Sequence, residues 1–152
     1  MKQVLTITFL IIFCIACNDI VNNSNTAKHD EPKTHADSLM KDVMNGHDIA
    51  MGKMSKLSAA QKRVQQAIDS INKLPEKLKK ATADYKTQLD NLSEKLKYAE
   101  YGMNKWMEEF NYDSATNGSN RTGYLESENQ KVSEVKEAML SALQKADSLF
   151  KK

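Results

Sequence analysis

The chain has 152 residues, 40% hydrophobic and 28% charged, with a formal net charge of +2 and two cysteines. That length is one domain's worth of sequence. Its 22 Lys and Arg alternate with 20 Asp and Glu instead of clustering, so there is no basic footprint for nucleic acid.

The first segment differs from the rest. Met1-Lys2-Gln3 carries one positive charge, and Val4 to Ala16 is thirteen residues without any. A membrane-spanning helix needs ~20 apolar residues, so this run is too short to span. A short basic start, an apolar stretch and a small residue at its end form the layout of a secretory signal peptide. Cys14-x-x-Cys17 closes it. A thioredoxin-like pair would follow a strand of a βαβ unit, and nothing downstream has strand character. A c-type haem site needs His where Asn18 stands, and a zinc site needs further ligands at metal spacing. The remaining reading is a lipobox, with Ala16 before Cys17 and Cys14 in the place where Leu is usual. The expectation is a signal peptide over 1–16, acylation of Cys17 and attachment to the membrane by N-terminal lipid. Each buried CH₂ contributes ~0.8 kcal/mol, so two or three acyl chains make a lasting anchor. Residues 17–33, with the Asn-rich stretch "NDIVNNSNTAKHDEPK", are expected to be the acylated end and a flexible tether.

Residues 34–152 are expected to form an all-α domain, an antiparallel three-helix bundle with coiled-coil-like heptad packing. Apolar residues recur at spacings of three and four, which lays one stripe on each helix. The helices are placed at about 35–73, 75–111 and 124–151. The first stripe is Met40, Met44, His47, Met51, Met54, Leu57, Val64, Ile68 and Ile71. The second is Leu78, Tyr85, Leu89, Leu92, Leu96, Ala99, Met103, Trp106 and Phe110. The third is Leu125, Val132, Val135, Met139, Ala142, Ala146 and Leu149. Thr34 with Asp37 predicts a capping box at the start of the first helix. Pro75 suits the first turn of the second. Three such stripes close on one another in a monomer, and the rival arrangement is a homodimer of long helices.

Three features bear on chemistry. Met40, Met44, His47, Met51 and Met54 share one helical face, and folding the hairpin about residue 74 sets His47 near Met103, Met44 near Trp106, and Met40 near Met107 or Phe110. Thioether sulfur is soft and favours Cu(I), which imidazole joins readily, so His47, Met44, Met51 and Met103 are the candidate metal ligands. Methionine is also an adaptable core filler, and a Met stripe at heptad spacing is more often core than ligand set. His29 and His35 form no recognised metal pattern. No Gly-rich phosphate loop or nucleophile–base arrangement is assembled by the sequence, so catalysis is not expected. Finally, Asp-Ser followed by an apolar residue occurs at Asp37-Ser38-Leu39, Asp69-Ser70-Ile71, Asp113-Ser114-Ala115 and Asp147-Ser148-Leu149. This is similar to the O-glycosylation sequon of exported Bacteroidota proteins, with Ser114, in a loop, the best candidate.

The stretches "MNGHDIAMGKMSKL", "YAEYGMNKWMEEF" and "YLESENQKVSEVKEAML" resemble a set of small Bacteroidota lipoproteins, often labelled "viral A-type inclusion protein" from generic coiled-coil similarity. The resemblance covers about 35–150, and His47-Asp48 and Trp106-Met107 are its more specific parts. It implies a lipid-anchored helical protein and supplies no activity, substrate or cofactor. Surface-exported lipoproteins of these bacteria resemble one another in an acidic run after the acylated Cys. Only Asp19 stands there, which favours the periplasmic face of the outer membrane. The expected function is a lipid-anchored envelope protein of structural or protein-binding role. The alternatives are a periplasmic Cu(I)-binding protein and a chaperone-like helical binder with an open apolar groove.

Overall fold

The structure is a computed structural model that describes residues 33–151. The expected signal peptide, Cys14, Cys17 and all but the last residue of the expected tether lie outside the described residues. Six α-helices follow in order: α1 His35–Met51, α2 Met54–Asn72, α3 Glu76–Ala81, α4 Ala83–Glu109, α5 Tyr112–Thr116 and α6 Arg121–Phe150. No strand occurs among the described residues, and the elements form a helical bundle. No helix among them is long and apolar enough to cross a membrane.

The boundaries follow local chemistry. Thr34 Oγ1 accepts the Asp37 N–H and Asp37 Oδ2 accepts the Thr34 N–H, both at 3.1 Å, which makes the expected capping box. The expected helix 35–73 is interrupted once, at Gly52 and Lys53. There the Lys53 N–H bonds back to the Ala50 carbonyl at 2.9 Å, a tightened turn, and helical pairing resumes at Leu57. Pro75 precedes α3 as expected, but α3 ends at Thr82, whose hydroxyl donates to the Leu78 carbonyl at 2.9 Å. Leu78, expected in the apolar stripe, is 49% exposed, and α3 buries nothing. The expected loop 111–123 contains α5, and α6 begins at Arg121 rather than 124.

The core is continuous, and its residues recur at sevenths. On α1 and α2 these are Ala36, Val43, Ala50, Leu57, Val64 and Ile71. On α4 the rows are Leu89, Leu96, Met103 and Leu92, Ala99, Trp106; on α6 they begin Leu125, Val132, Met139, Ala146. The α4 and α6 stripes match the sequence expectation closely. The first stripe does not. From Leu57 onward it is buried as expected, but on α1 the buried row is Ala36, Leu39, Val43, Gly46 and Ala50. The row Met40, Met44, His47, Met51 lies one residue further on, ~100° around the helix. Met44 and Met51 are accordingly 37% and 38% exposed.

Close approach of two helices explains the rotation. Both α1 and α4 pack along α6, and α2 packs on α4. At the α1–α6 contact a Cβ added to Gly46 would stand 3.0 Å from Val132 Cγ1. The Val132 side chain fills the notch that Gly46 leaves, and a methionine row could not bring the two backbones this near.

One polar residue is buried in α6. Glu128 is 3% exposed, and its Oε1 accepts from Lys131 Nζ at 2.7 Å. The carboxylate raises the Lys131 pKa in return, through this hydrogen bond first. A buried carboxylate is tolerable only while it is paired.

Two outcomes are expected in urea unfolding. Gly46→Val forces the α1–α6 contact apart and costs ~1–3 kcal/mol, part of which returns when Val132→Ala is added. Lys131→Met strips Glu128 of its cation and costs about 1–3 kcal/mol, whereas Glu128→Leu stays within ~1 kcal/mol of the parent.

Candidate functional site

Rotation of α1 leaves its methionine row facing α4 at the bundle's end. There Met40, Met44 and His47 of α1 line a cleft of about 470 Å³ with Trp106, Met107, Phe110 and Tyr112. Met44 and Met107 are each 37% exposed, and Met40 is half-buried against the core. An aromatic series runs along the cleft's inner wall and continues to Tyr124 beyond it. The His47 and Trp106 ring centroids are 5.6 Å apart, Trp106 and Phe110 5.0 Å, and Phe110 and Tyr124 6.1 Å, all tilted. Such tilted pairs are the favourable geometry for rings with negative faces and positive edges.

His47 is held by its neighbour. Its Nδ1 lies 2.9 Å from Asp48 Oδ1, and a carboxylate accepts only, so Nδ1 donates. In the neutral ring this leaves the lone pair on Nε2. Glu100, further back along α4, accepts from Gln61 Nε2 at 2.9 Å.

The loop above the cleft is built from a chain of polar contacts. Asn111 Oδ1 accepts the Ser114 N–H at 2.8 Å and opens α5; the Asn111 N–H donates to the Tyr124 hydroxyl at 2.7 Å. Ala115 is fully buried, and its carbonyl accepts from Arg121 Nε at 2.7 Å. The same guanidinium reaches across to α1, with Nη2 2.9 Å from Asp37 Oδ1. Arg121 therefore ties α5, α6 and the first turn of α1 together. Its hydrogen bond, followed by that of Thr34, holds the Asp37 carboxyl below the usual carboxylate range. This junction was not legible in the sequence, because Arg121 falls in a polar run with no periodic signal.

The structure brings together two of the four candidate metal ligands. His47 and Met44 share the cleft, but Met103 is fully buried in the core and Met51, the last residue of α1, is not among the lining residues. Met40 and Met107 take their places at the wall. The sequence register set His47 against Met103; the ring it meets is Trp106, about one helical turn away. The reversal between α2 and α4 includes α3, so the chain folds back beyond residue 74. No group of three or more His, Cys, Asp or Glu suited to a metal ion occurs among the described residues. Ser114 lies in α5 rather than in an open loop and is half-buried, its carbonyl 2.7 Å from where a Cβ on Gly118 would stand.

Trp106 also lines a second, smaller groove between α4 and α6, with Tyr98, Tyr101, Gly102 and Val135. Its Nε1 is buried without a hydrogen-bond partner among the described residues. Tyr98 and Tyr101 are both well exposed, which leaves this groove open.

The Asp37 junction has a signed pH dependence. A carboxyl whose folded pKa is depressed contributes stability that is present above its unfolded pKa and lost as pH falls through the folded one. Arg121→Ala should therefore lower the melting temperature near neutral pH. The gap from the parent should narrow below about pH 3, under the ordinary Asp range. A remainder persists there, from the lost bond to the Ala115 carbonyl. Thermal melts followed by circular dichroism across that range measure both.

No protein-family model, no curated protein and no solved structure matches the chain.

Proposed function

We propose that this is a lipid-anchored helical protein of the cell envelope, acylated at Cys17, with a protein-binding role and no catalysis. Its bundle is read as an antiparallel three-helix coiled-coil-like monomer, made of α1–α2, α4 and α6. Residue pairings support that reading: His47 with Trp106 and Gln61 with Glu100 run in opposite senses along α1–α2 and α4. Gly46 with Val132 and Arg63 with the Phe150 carbonyl run in the same sense along α1–α2 and α6. Burial at every seventh position accords with heptad packing.

The observation that carries the binding role is the open cleft between α1 and α4. Met44 and Met107 are over a third exposed there, beside Phe110 and Tyr112, and together they make a continuous apolar surface. Methionine surfaces of this kind re-pack around apolar side chains of different shapes. No charged side chain lines the cleft, so the fitting occupant is an apolar segment of another envelope protein. The cleft begins within two turns of the start of α1, the end at which lipid attachment would hold the domain. On this reading the outer membrane anchors the protein and the bundle faces the periplasm.

Photo-crosslinking side chains at Met44 and Met107 test this in cells, with exposed Lys95 as the control position. The same discrete protein adduct is expected from 44 and 107, none from 95, and loss of membrane association in Cys17→Ser. Absence of adducts at both cleft positions, or equal adducts at 95, overturns the binding role. Membrane retention of Cys17→Ser overturns the anchor.

A further inference from the structure

We propose that the cleft is also a Cu(I) site, formed by His47 Nε2 and the thioethers of Met44, Met40 and Met107, with Asp48 positioning the imidazole. This goes beyond the protein-binding role and uses the same cleft. Three observations carry it. The cleft gathers three methionines and one histidine from two helices, although neither helix alone presents that set. All four are soft or borderline donors, and no carboxylate, the donor that hard cations require, lines the cleft. His47 already makes the hydrogen bond typical of a metal-bound imidazole, Nδ1 to a carboxylate at 2.9 Å, which turns Nε2 into the ligating nitrogen.

The rest of the cleft suits a soft monovalent ion. Met40, Met44 and His47 stand at successive turns of one face of α1, and Met107 approaches from α4. Each methionine has three rotatable bonds, which gives its sulfur freedom to turn toward an ion. Trp106 places its indole ring 5.6 Å from the imidazole and forms part of the apolar wall behind it. The set differs from the one the sequence offered. Met51 is off the cleft and Met103 is enclosed in the core, so neither is a ligand.

Trp106 is the chain's single tryptophan and lines this cleft, so its emission senses an ion bound there, and the His47 and Met107 variants separate that signal from the α4–α6 groove it also borders. The experiment uses the full chain in mild detergent with Cys14→Ser and Cys17→Ser, so that no thiol competes. Cu(I) is delivered under ascorbate against a chromogenic chelator, with Trp106 emission read in parallel and helicity checked in every variant. The expected result is a single Cu(I) withdrawn from the chelator with quenching of Trp106. His47→Gln should abolish both signals, Met107→Leu should weaken binding, and Asp48→Asn should weaken it ~10-fold. Met51→Leu should bind as the parent does. No competition with the chelator overturns the proposal, as does binding that Met51→Leu weakens while Met107→Leu does not. Failure here leaves the crosslinking result untouched, and failure of crosslinking leaves the metal titration to stand.

Discussion

The contact of α1 with α6 at Gly46 and Val132 sets the rest of the arrangement. A helix can turn only one row of side chains toward its neighbour at such a short separation, and on α1 that row is Ala36, Leu39, Val43, Gly46 and Ala50. The choice of this row turns the methionines and His47 toward α4. What would have been an ordinary apolar seam becomes a half-covered wall, and that wall meets Trp106, Met107 and Phe110 to make the cleft. Close packing thus trades a large apolar row for a small one. The gain is dense contact where backbones approach, and the consequence is methionine surface left at the bundle's end.

Stability and the candidate site are linked at this end through Arg121. One guanidinium bonds the Ala115 carbonyl and the Asp37 carboxylate, so the α5 segment beside the cleft is fastened to the turn where α1 begins. Glu128 is the other polar feature that the fold places among apolar neighbours, and it is satisfied by Lys131 from the next turn of the same helix. Neither belongs to the cleft lining. Arg121 fastens the elements beside the cleft, while the Glu128–Lys131 pair stays within α6.

The sequence carried the helical class, the capping box at Thr34 and Asp37, and the burial of Leu89 to Trp106 on α4 and of Leu125 to Ala146 on α6. These were legible because large apolar residues there occupy one row with polar residues on either side. Alpha1 was misread for the opposite reason. It offers two rows at spacings of three and four, and the one with the longer side chains is not the one buried. Glycine and alanine give almost no hydropathy signal, although their small size is what permits the close contact. The gathering of Met, His and Trp near the start of α1 was also legible, but its partners were displaced by about a turn because α3 extends the reversal.

By itself, then, the sequence determined an all-helical chain with apolar rows, a positioned helix start and a concentration of soft side chains on one stretch of α1. Local propensity and period suffice for those, since each depends on residues within a turn or two of one another. Only the tertiary structure decided which row of α1 faces inward, that Met103 belongs to the core while Met107 belongs to the cleft, and that Arg121 spans three elements. Those depend on how near two backbones can come and where a chain reverses. Steric fit between distant residues settles both, and no single helix encodes it.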